Sequence, residues 1–379
     1  MKAVVSKIDL LNIIGKIQSI VAAKPAIPIL SNVLLEAMDD QLVISATDLA
    51  VSMRCYTEAK VIEEGAIALP ARRFFQLVRE ITAPQIKISA HTNEIVEITT
   101  GTSVFKINGM NRSEFPQLPD LTGSPEITFS QAALREMLSK SAFSAAREDS
   151  RYMLNGVHLQ IAQQKAIFLG TDGKRLAKIF APIANSATLH GNYVIPLKAV
   201  EEMIKMLGDS EETISLSLAP DKIALESGSS LLIAKLLAGQ YPDVERVIPT
   251  KLTNQVTIHR EELTSLLRQV SLFTSDTSNS VRFSFETGQL QLAAMSSEIG
   301  EGRVSMPVDF AGQKMEIAFN PVYFLDILRH SKDETIRFGF NDPHNPGLVT
   351  DSSSALFVIM PMRLNEAASR SEPTAAYAT

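Results

Sequence analysis

Self-similarity at a spacing of about 125 residues constrains this chain more than any other property, because every copy must build a core from one kind of unit. A helical pattern of apolar residues runs from Ser6 to Val21, with Leu10, Leu11, Ile14, Ile17 and Val21 on one face. It has two relatives. Phe129-Ser130-Gln131-Ala132-Ala133-Leu134 leads into Met137 and Leu138, and Ile258-His259-Arg260-Glu261-Glu262-Leu263 leads into Leu266, Leu267 and Val270. Leu10, Leu134 and Leu263 are 124 and then 129 residues apart. A second helix family begins at Leu69-Pro70-Ala71, Ile195-Pro196-Leu197 and Phe319-Asn320-Pro321, spaced by 126 and 124 residues. Each has an early proline, which a first helical turn tolerates because its missing N–H has no intrahelical partner to lose.

Between these helices the apolar period falls to two, as in Ile214–Leu218, Val281–Phe285 and Ile336–Phe340, the pattern of half-buried strands. Glu286-Thr287-Gly288-Gln289 reads as a hairpin turn with Gly288 at positive φ. Strand ends recur as well. Ser45-Ala46-Thr47-Asp48-Leu49 is matched by Leu169-Gly170-Thr171-Asp172-Gly173, while the third copy has Ser296 at the aspartate's place. Phe115-Pro116 and Tyr241-Pro242 close the first and second copies. The expected fold is α+β: three tandem domains, each of two helices packed on antiparallel sheet, over residues 1–122, 123–250 and 251–364. Residues 365–379, rich in Asn, Glu, Ala, Ser and Thr, read as a disordered tail.

Residues able to do covalent or metal chemistry are scattered. One cysteine, Cys55, excludes an intrachain disulfide and a multi-cysteine zinc site, and reads as a small core residue beside a strand. The six histidines show no metal-binding spacing, so no metal or cofactor is expected. Thr171-Asp172-Gly173-Lys174 lacks the glycines of a phosphate loop. Asp48 and Asp172 fall one to a repeat, whereas a general acid–base pair must converge in one site; an Asx turn accounts for both. The acid pairs Glu63-Glu64, Glu201-Glu202, Glu211-Glu212 and Glu261-Glu262 read as solvated surface. No apolar stretch suits a signal peptide or a membrane span, and the expected location is cytoplasmic.

Net charge is −6 and unevenly spread. The helix windows 6–21, 69–81, 129–146, 195–207, 258–273 and 319–332 carry thirteen Lys and Arg against eight Asp and Glu, leaving +5 there and −11 elsewhere. A positive face on an otherwise acidic protein draws a polyanion to that face. Helix propensity alone also favours Lys and Arg, so the pattern admits both readings.

Five stretches carry a resemblance: Lys24-Pro25-Ala26-Ile27-Pro28-Ile29-Leu30, Tyr152-Met153-Leu154-Asn155-Gly156, Thr171-Asp172-Gly173-Lys174-Arg175-Leu176-Ala177, Tyr241-Pro242-Asp243-Val244-Glu245-Arg246-Val247-Ile248-Pro249 and Met360-Pro361-Met362-Arg363-Leu364. In this order they resemble the bacterial DNA sliding clamp family, the beta subunits of DNA polymerase III, over residues 1–364. The resemblance implies a non-catalytic processivity factor: a head-to-tail homodimer closing a ring of six domains, with twelve helices facing the hole. Helices packed about 8–10 Å apart put twelve axes on a circle roughly 31–38 Å across, and a helix thickness of about 10–12 Å leaves a hole of ~20–28 Å. A B-form duplex fits loosely there, held by topology with weak, sequence-independent phosphate contacts.

By the same resemblance, Lys24, Arg72, Glu148, Tyr152 and Met153 match DNA-contacting positions. Glu148 and Met153 depart from the family's glutamine and tyrosine, and a carboxylate at 148 repels phosphate. A groove for linear partner peptides is implied at Leu154, Thr171, Gly173, Lys174, Arg175, Leu176, Pro242, Arg246, Val247, Val358, Ile359, Met360, Pro361, Met362, Arg363 and Leu364. From the residues alone, Leu356–Met360 is a buried final strand, though methionines suit a surface that adapts to several ligands. Ring closure is implied between Phe105 and Ile107 of one chain and Leu272 and Phe273 of the other. Implied partners are a second copy, duplex DNA without sequence preference, the clamp loader, the replicative polymerase's catalytic subunit and other clamp-binding proteins of replication and repair, with no membrane. Two rival readings are a peptide-binding scaffold that never meets DNA and a repeat-built enzyme.

Overall fold

The computed structural model describes residues 1–22, 25–91, 93–162, 164–183, 190–275 and 279–363. Six helices appear where the periodicity places them: α1 (Lys7–Ile17), α2 (Ala71–Glu80), α3 (Gln131–Ala142), α4 (Leu197–Met206), α5 (Arg260–Ser271) and α6 (Pro321–His330). Their starts follow local chemistry. The Asp9 N–H donates to Ser6 Oγ at 3.5 Å, and Val322 N–H donates to Asn320 Oδ1 at 2.9 Å, each satisfying a donor that the first turn leaves open. Pro321 occupies the first turn as expected, but Pro70 and Pro196 stand one step earlier, at the cap itself. The buried stripe of α1 is Leu10, Ile13, Ile14 and Ile17; Val21 lies past the helix end and Leu11 is only half-buried.

The chain condenses into two compact units: Met1–Leu138 with Leu159–Ala166 and Pro182–Gly239, and Ser139–His158 with Ile167–Ala181 and Gln240–Thr379. They cut across the threefold repeat because backbone ladders join neighbouring copies. In the first unit the 13-residue strand Val51–Glu63 is the spine of a twelve-stranded sheet. Its start pairs with Gln41–Thr47 on one side and with Ser230–Lys235 of the second copy on the other, Val51 opposite Ala234 and Cys55 opposite Ser230. Its end pairs with Lys2–Ser6. Cys55 is buried in this strand as expected, and burial pushes its thiol up.

In the second unit, strand Arg175–Pro182 pairs with Leu356–Ile359, which continues through Gly347–Thr350 and Thr335–Phe340 to Asn254–His259. A four-stranded sheet runs Gly300–Pro307, Gln289–Ser296, Val281–Glu286, Met315–Phe319. The predicted hairpin is present, with Gly288 at φ 77°. Its core is aromatic: Phe283, Phe285, Phe310, Phe319, Phe324, Phe338 and Phe340 interlock with centroid spacings of 4.5–6.1 Å, the range in which ring pairs attract beyond their area burial.

Candidate functional site

The repeated Thr-Asp sequence builds one turn twice. In the first unit Ala50 and Val51 N–H donate to Asp48 Oδ1, and Leu49 N–H donates to Thr47 Oγ1. In the second unit Lys174 and Arg175 N–H donate to Asp172 Oδ1, and Gly173 N–H donates to Thr171 Oγ1. Both aspartates are thus Asx-turn caps. The chain crossing each turn is held alike: Lys235 N–H donates to Ala50 O at 2.8 Å, and Met360 N–H to Lys174 O at 2.9 Å. Two residues on, Leu237 N–H donates to Val194 O, and Met362 N–H to Ala318 O.

What differs is the charge. In the first unit Lys198 of α4 reaches the turn and donates to Asp48 and to Ile20 O. In the second the direction reverses, and Arg175 of the turn reaches α6. Its Nη1 donates to Asp326 Oδ2 at 2.6 Å and its Nε to Asp172 Oδ2 at 3.2 Å. The guanidinium lies 4.7 Å from the Tyr323 ring centroid and 5.4 Å from that of Phe143, a cation between two carboxylates and two π faces. Phe143 in turn stacks on His330 and touches Phe357.

Around this caged arginine the second unit gathers most of the expected groove residues. Leu154, Thr171, Leu176, Val358 and Ile359 are buried and so are not themselves open to a ligand. Met360, Val247, Pro242, Gly173, Lys174, Arg246 and Arg363 are exposed, with Pro361 and Met362 half-buried. Arg246 pairs with Asp243 at 3.0 Å within the segment after Tyr241, and Lys178 of the strand Arg175–Pro182 pairs with Glu245, tying that segment to the sheet. Tyr241 is buried and stacks on His158 at 4.8 Å. Gly173 has φ 83°, and a Cβ there would stand 2.9 Å from Arg151 Nη1. Arg151 grips Asp149 through two bonds, 2.9 and 2.7 Å, and holds that carboxyl down at about 2 while its Nη2 also donates to Asp172 O. Leu364 lies outside the described residues. The sequence reading missed Phe143, Tyr323, Asp326 and His330, whose roles rest on contacts with residues far along the chain.

Of the expected DNA positions, Lys24 lies outside the described residues. Arg72 is exposed on α2, in the first unit; Glu148 and Tyr152 are exposed and Met153 half-buried, in the second. The helical charge excess is smaller than the sequence count. Lys140 is buried, 3.6 Å from buried Asp351, and Arg79, Arg135, Lys198, Lys205, Arg260 and Arg329 pair with carboxylates. Among the described residues Lys7, Lys16, Arg72, Arg73 and Arg268 form no ion pair; four of the five stand on α1 and α2, which pack together. Glu202 corrects the reading of acid pairs as surface: it is 5% exposed, accepts from Ser19 Oγ at 2.8 Å and pairs with Lys205.

The expected closure residues sit at two sheet edges. Phe105, 37% exposed, is on the edge strand Ser103–Asn108, where Ile107 turns largely inward. Leu272 projects beyond α5, and the Phe273 ring covers Gly302 on the edge strand Gly300–Pro307, where a Cβ would meet the ring at 2.5 Å. Among the described residues no cluster of three metal-ligating side chains occurs, and no helix is long and apolar enough to cross a membrane.

Three family models match the chain in order. They describe the DNA polymerase III beta subunit's N-terminal domain over residues 1–119, its central domain over 128–243 and its C-terminal domain over 245–363. The beta sliding clamp of Chlamydia pneumoniae is 50% identical over 366 residues, covering 97% of this chain and 100% of that relative. That of Salmonella typhimurium is 30% identical over 368 residues, covering 96% and 100%. Among solved structures, a sliding clamp of Pseudomonas aeruginosa bound to griselimycin superposes with TM-score 0.91 at 27% identity, over 96% of this chain and 100% of that one. A DNA polymerase sliding clamp from Caulobacter crescentus gives 0.89 at 29%, with the same coverage.

Proposed function

The chain belongs to the DNA polymerase III beta subunit family, the sliding clamps, and from that premise we propose how it works as a processivity factor. Two copies close head to tail around duplex DNA, each giving three domains over about residues 1–122, 123–250 and 251–364. The observation that carries the DNA reading is the set of unpaired cations on α1 and α2, Lys7, Lys16, Arg72 and Arg73. Long, solvated cations on helices offer phosphate contacts without base readout, which is what sliding requires. In the second unit, exposed Tyr152 offers a further DNA contact, and the carboxylate of exposed Glu148 beside it opposes one. Phe105 and Ile107 of one chain meet Leu272 and Phe273 of the other, so that two open strand edges satisfy each other.

The groove around Arg175 takes linear peptides of the polymerase's catalytic subunit, the clamp loader and other DNA-processing proteins. Support comes from exposed Met360, Val247 and Pro242 above a buried apolar floor, with Lys174, Arg246 and Arg363 at the rim. No catalytic step is assigned to any residue.

Protein loaded on nicked circular DNA should stay bound until the circle is cut, then slide off the ends. Equal retention on circular and linear DNA would refute encirclement. Deleting Met360–Leu364 should abolish binding of a polymerase-derived peptide while the dimer persists; undiminished peptide affinity would refute the groove.

A further inference from the structure

His330 is a histidine packed against the groove's arginine cage, and no sequence motif singles it out. It ends α6 with its ring plane 12° from that of Phe143 and the centroids 4.2 Å apart, and its Nδ1 lies 2.8 Å from Asp326 O. Phe143 is also one of the two rings under Arg175. We propose that His330 is a positioning residue for Arg175, and that peptide docking in this groove weakens as the imidazole gains a proton. The inference rests on the peptide-groove reading above.

The physical case is a shortage of negative charge. Asp326 has both oxygens committed, Oδ2 to Arg175 at 2.6 Å and Oδ1 to Arg329 at 3.2 Å. Asp172 is committed too, Oδ1 to two backbone N–H groups and Oδ2 to Arg175. The charged groups facing His330 are Asp326 and Arg329 on its own helix and Arg175 from the strand Arg175–Pro182. The segment after α3 adds the neutral ring of Phe143, and the strand Leu356–Ile359 adds Phe357 behind it.

An imidazolium here is therefore a third cation around carboxylates that already hold two. It repels Arg175, which must then leave Asp326 or tilt off Phe143, and the floor beneath a docked peptide shifts. Burial is the main cause of a His330 pKa below its usual value; Asp326, through its carbonyl and its charge, works against it, and Arg329 and Arg175 add to it. Docking is intact above the ordinary histidine range and is lost as pH falls through the depressed value.

The test is fluorescence anisotropy with a labelled peptide copied from the polymerase's clamp-binding segment and free of Asp, Glu and His, titrated with the full-length dimer from pH 8 to pH 5. Affinity of the unaltered protein should fall as pH is lowered across that span, about tenfold for each unit by which docking lowers the His330 pKa. His330→Phe, a flat ring with no proton to gain, should give a level profile, and so should Arg175→Gln, whose guanidinium is gone. Parallel declines in all three proteins would overturn the proposal. An NMR titration of the Arg175 side-chain N–H signal without peptide reads positioning directly. It should follow the His330 titration, and an Arg175 signal indifferent to His330 overturns the proposal even if the groove binds peptide. Absence of peptide binding at pH 8 in every protein would instead refute the groove reading, and this inference with it.

Discussion

Replacing Leu272 by alanine should weaken the dimer far more than one side chain ordinarily weakens a protein interface. Leu272 is 72% exposed in the protomer, so most of its side chain has burial still to gain. Complete burial of a leucine stabilises by roughly 1.5–3 kcal/mol, and the exposed share scales this to about 1–2 kcal/mol. A ring closed head to tail contains the same contact twice, so the loss doubles to about 2–4 kcal/mol. At 1.4 kcal/mol per factor of ten, the dimer Kd should rise roughly 30- to 1000-fold. Sedimentation equilibrium over a dilution series measures it, with Val322→Ala, an exposed apolar residue on α6, as the control. A Kd within threefold of the unaltered protein's, or an equal rise in the control, would refute the placement of Leu272 in the interface.

Gly302→Ala should also loosen the ring, because its Cβ would displace the Phe273 ring now 2.5 Å from that position; the same dilution series should show a raised Kd with the protomer's circular dichroism unchanged. Lys140→Met should destabilise the second unit by about 3–5 kcal/mol by stranding the buried Asp351 carboxylate, and adding Asp351→Leu should restore most of it in urea unfolding followed by Phe- and Tyr-sensitive near-ultraviolet signals. Equal losses in the single and double variants would count against that pair. Leu49→Gly should stabilise the first unit slightly, by about 0.5–1 kcal/mol, since Leu49 holds φ 73° where its counterpart in the second copy is Gly173. Calorimetry showing a lowered transition would contradict this.

Local chemistry was legible in the sequence and distant partnership was not. Asp48 and Asp172 could be read as turn caps because their partners lie two or three residues away. Helix positions and the Gly288 hairpin follow from periodicity and turn chemistry in the same way. Glu202 could not be told from Glu201, because its burial depends on Ser19, 183 positions earlier. Lys140 looked like any helical lysine until Asp351 arrived beside it. The counted +5 of the helices shrank for the same reason. Arg175 and the Met360 segment were marked by family resemblance, but the cage that fixes Arg175 comes from α6 and the segment after α3, and only folding brings them together. The division into two units was equally hidden, since strand ladders between copies leave no local mark.

The strand Leu356–Ile359 has a mechanical consequence. It lies between Arg175–Lys178 and Gly347–Thr350, paired with four residues on each side, and the segment proposed to hold partner peptides begins where it ends. Ladder bonds run across the strands, so a pull applied at Met360 along the strand axis strains the rungs on both flanks together. The same pull from the side would open them one after another. Load applied to this end along the strand axis is therefore borne by a lap joint in shear, the direction in which a narrow strip of sheet resists best.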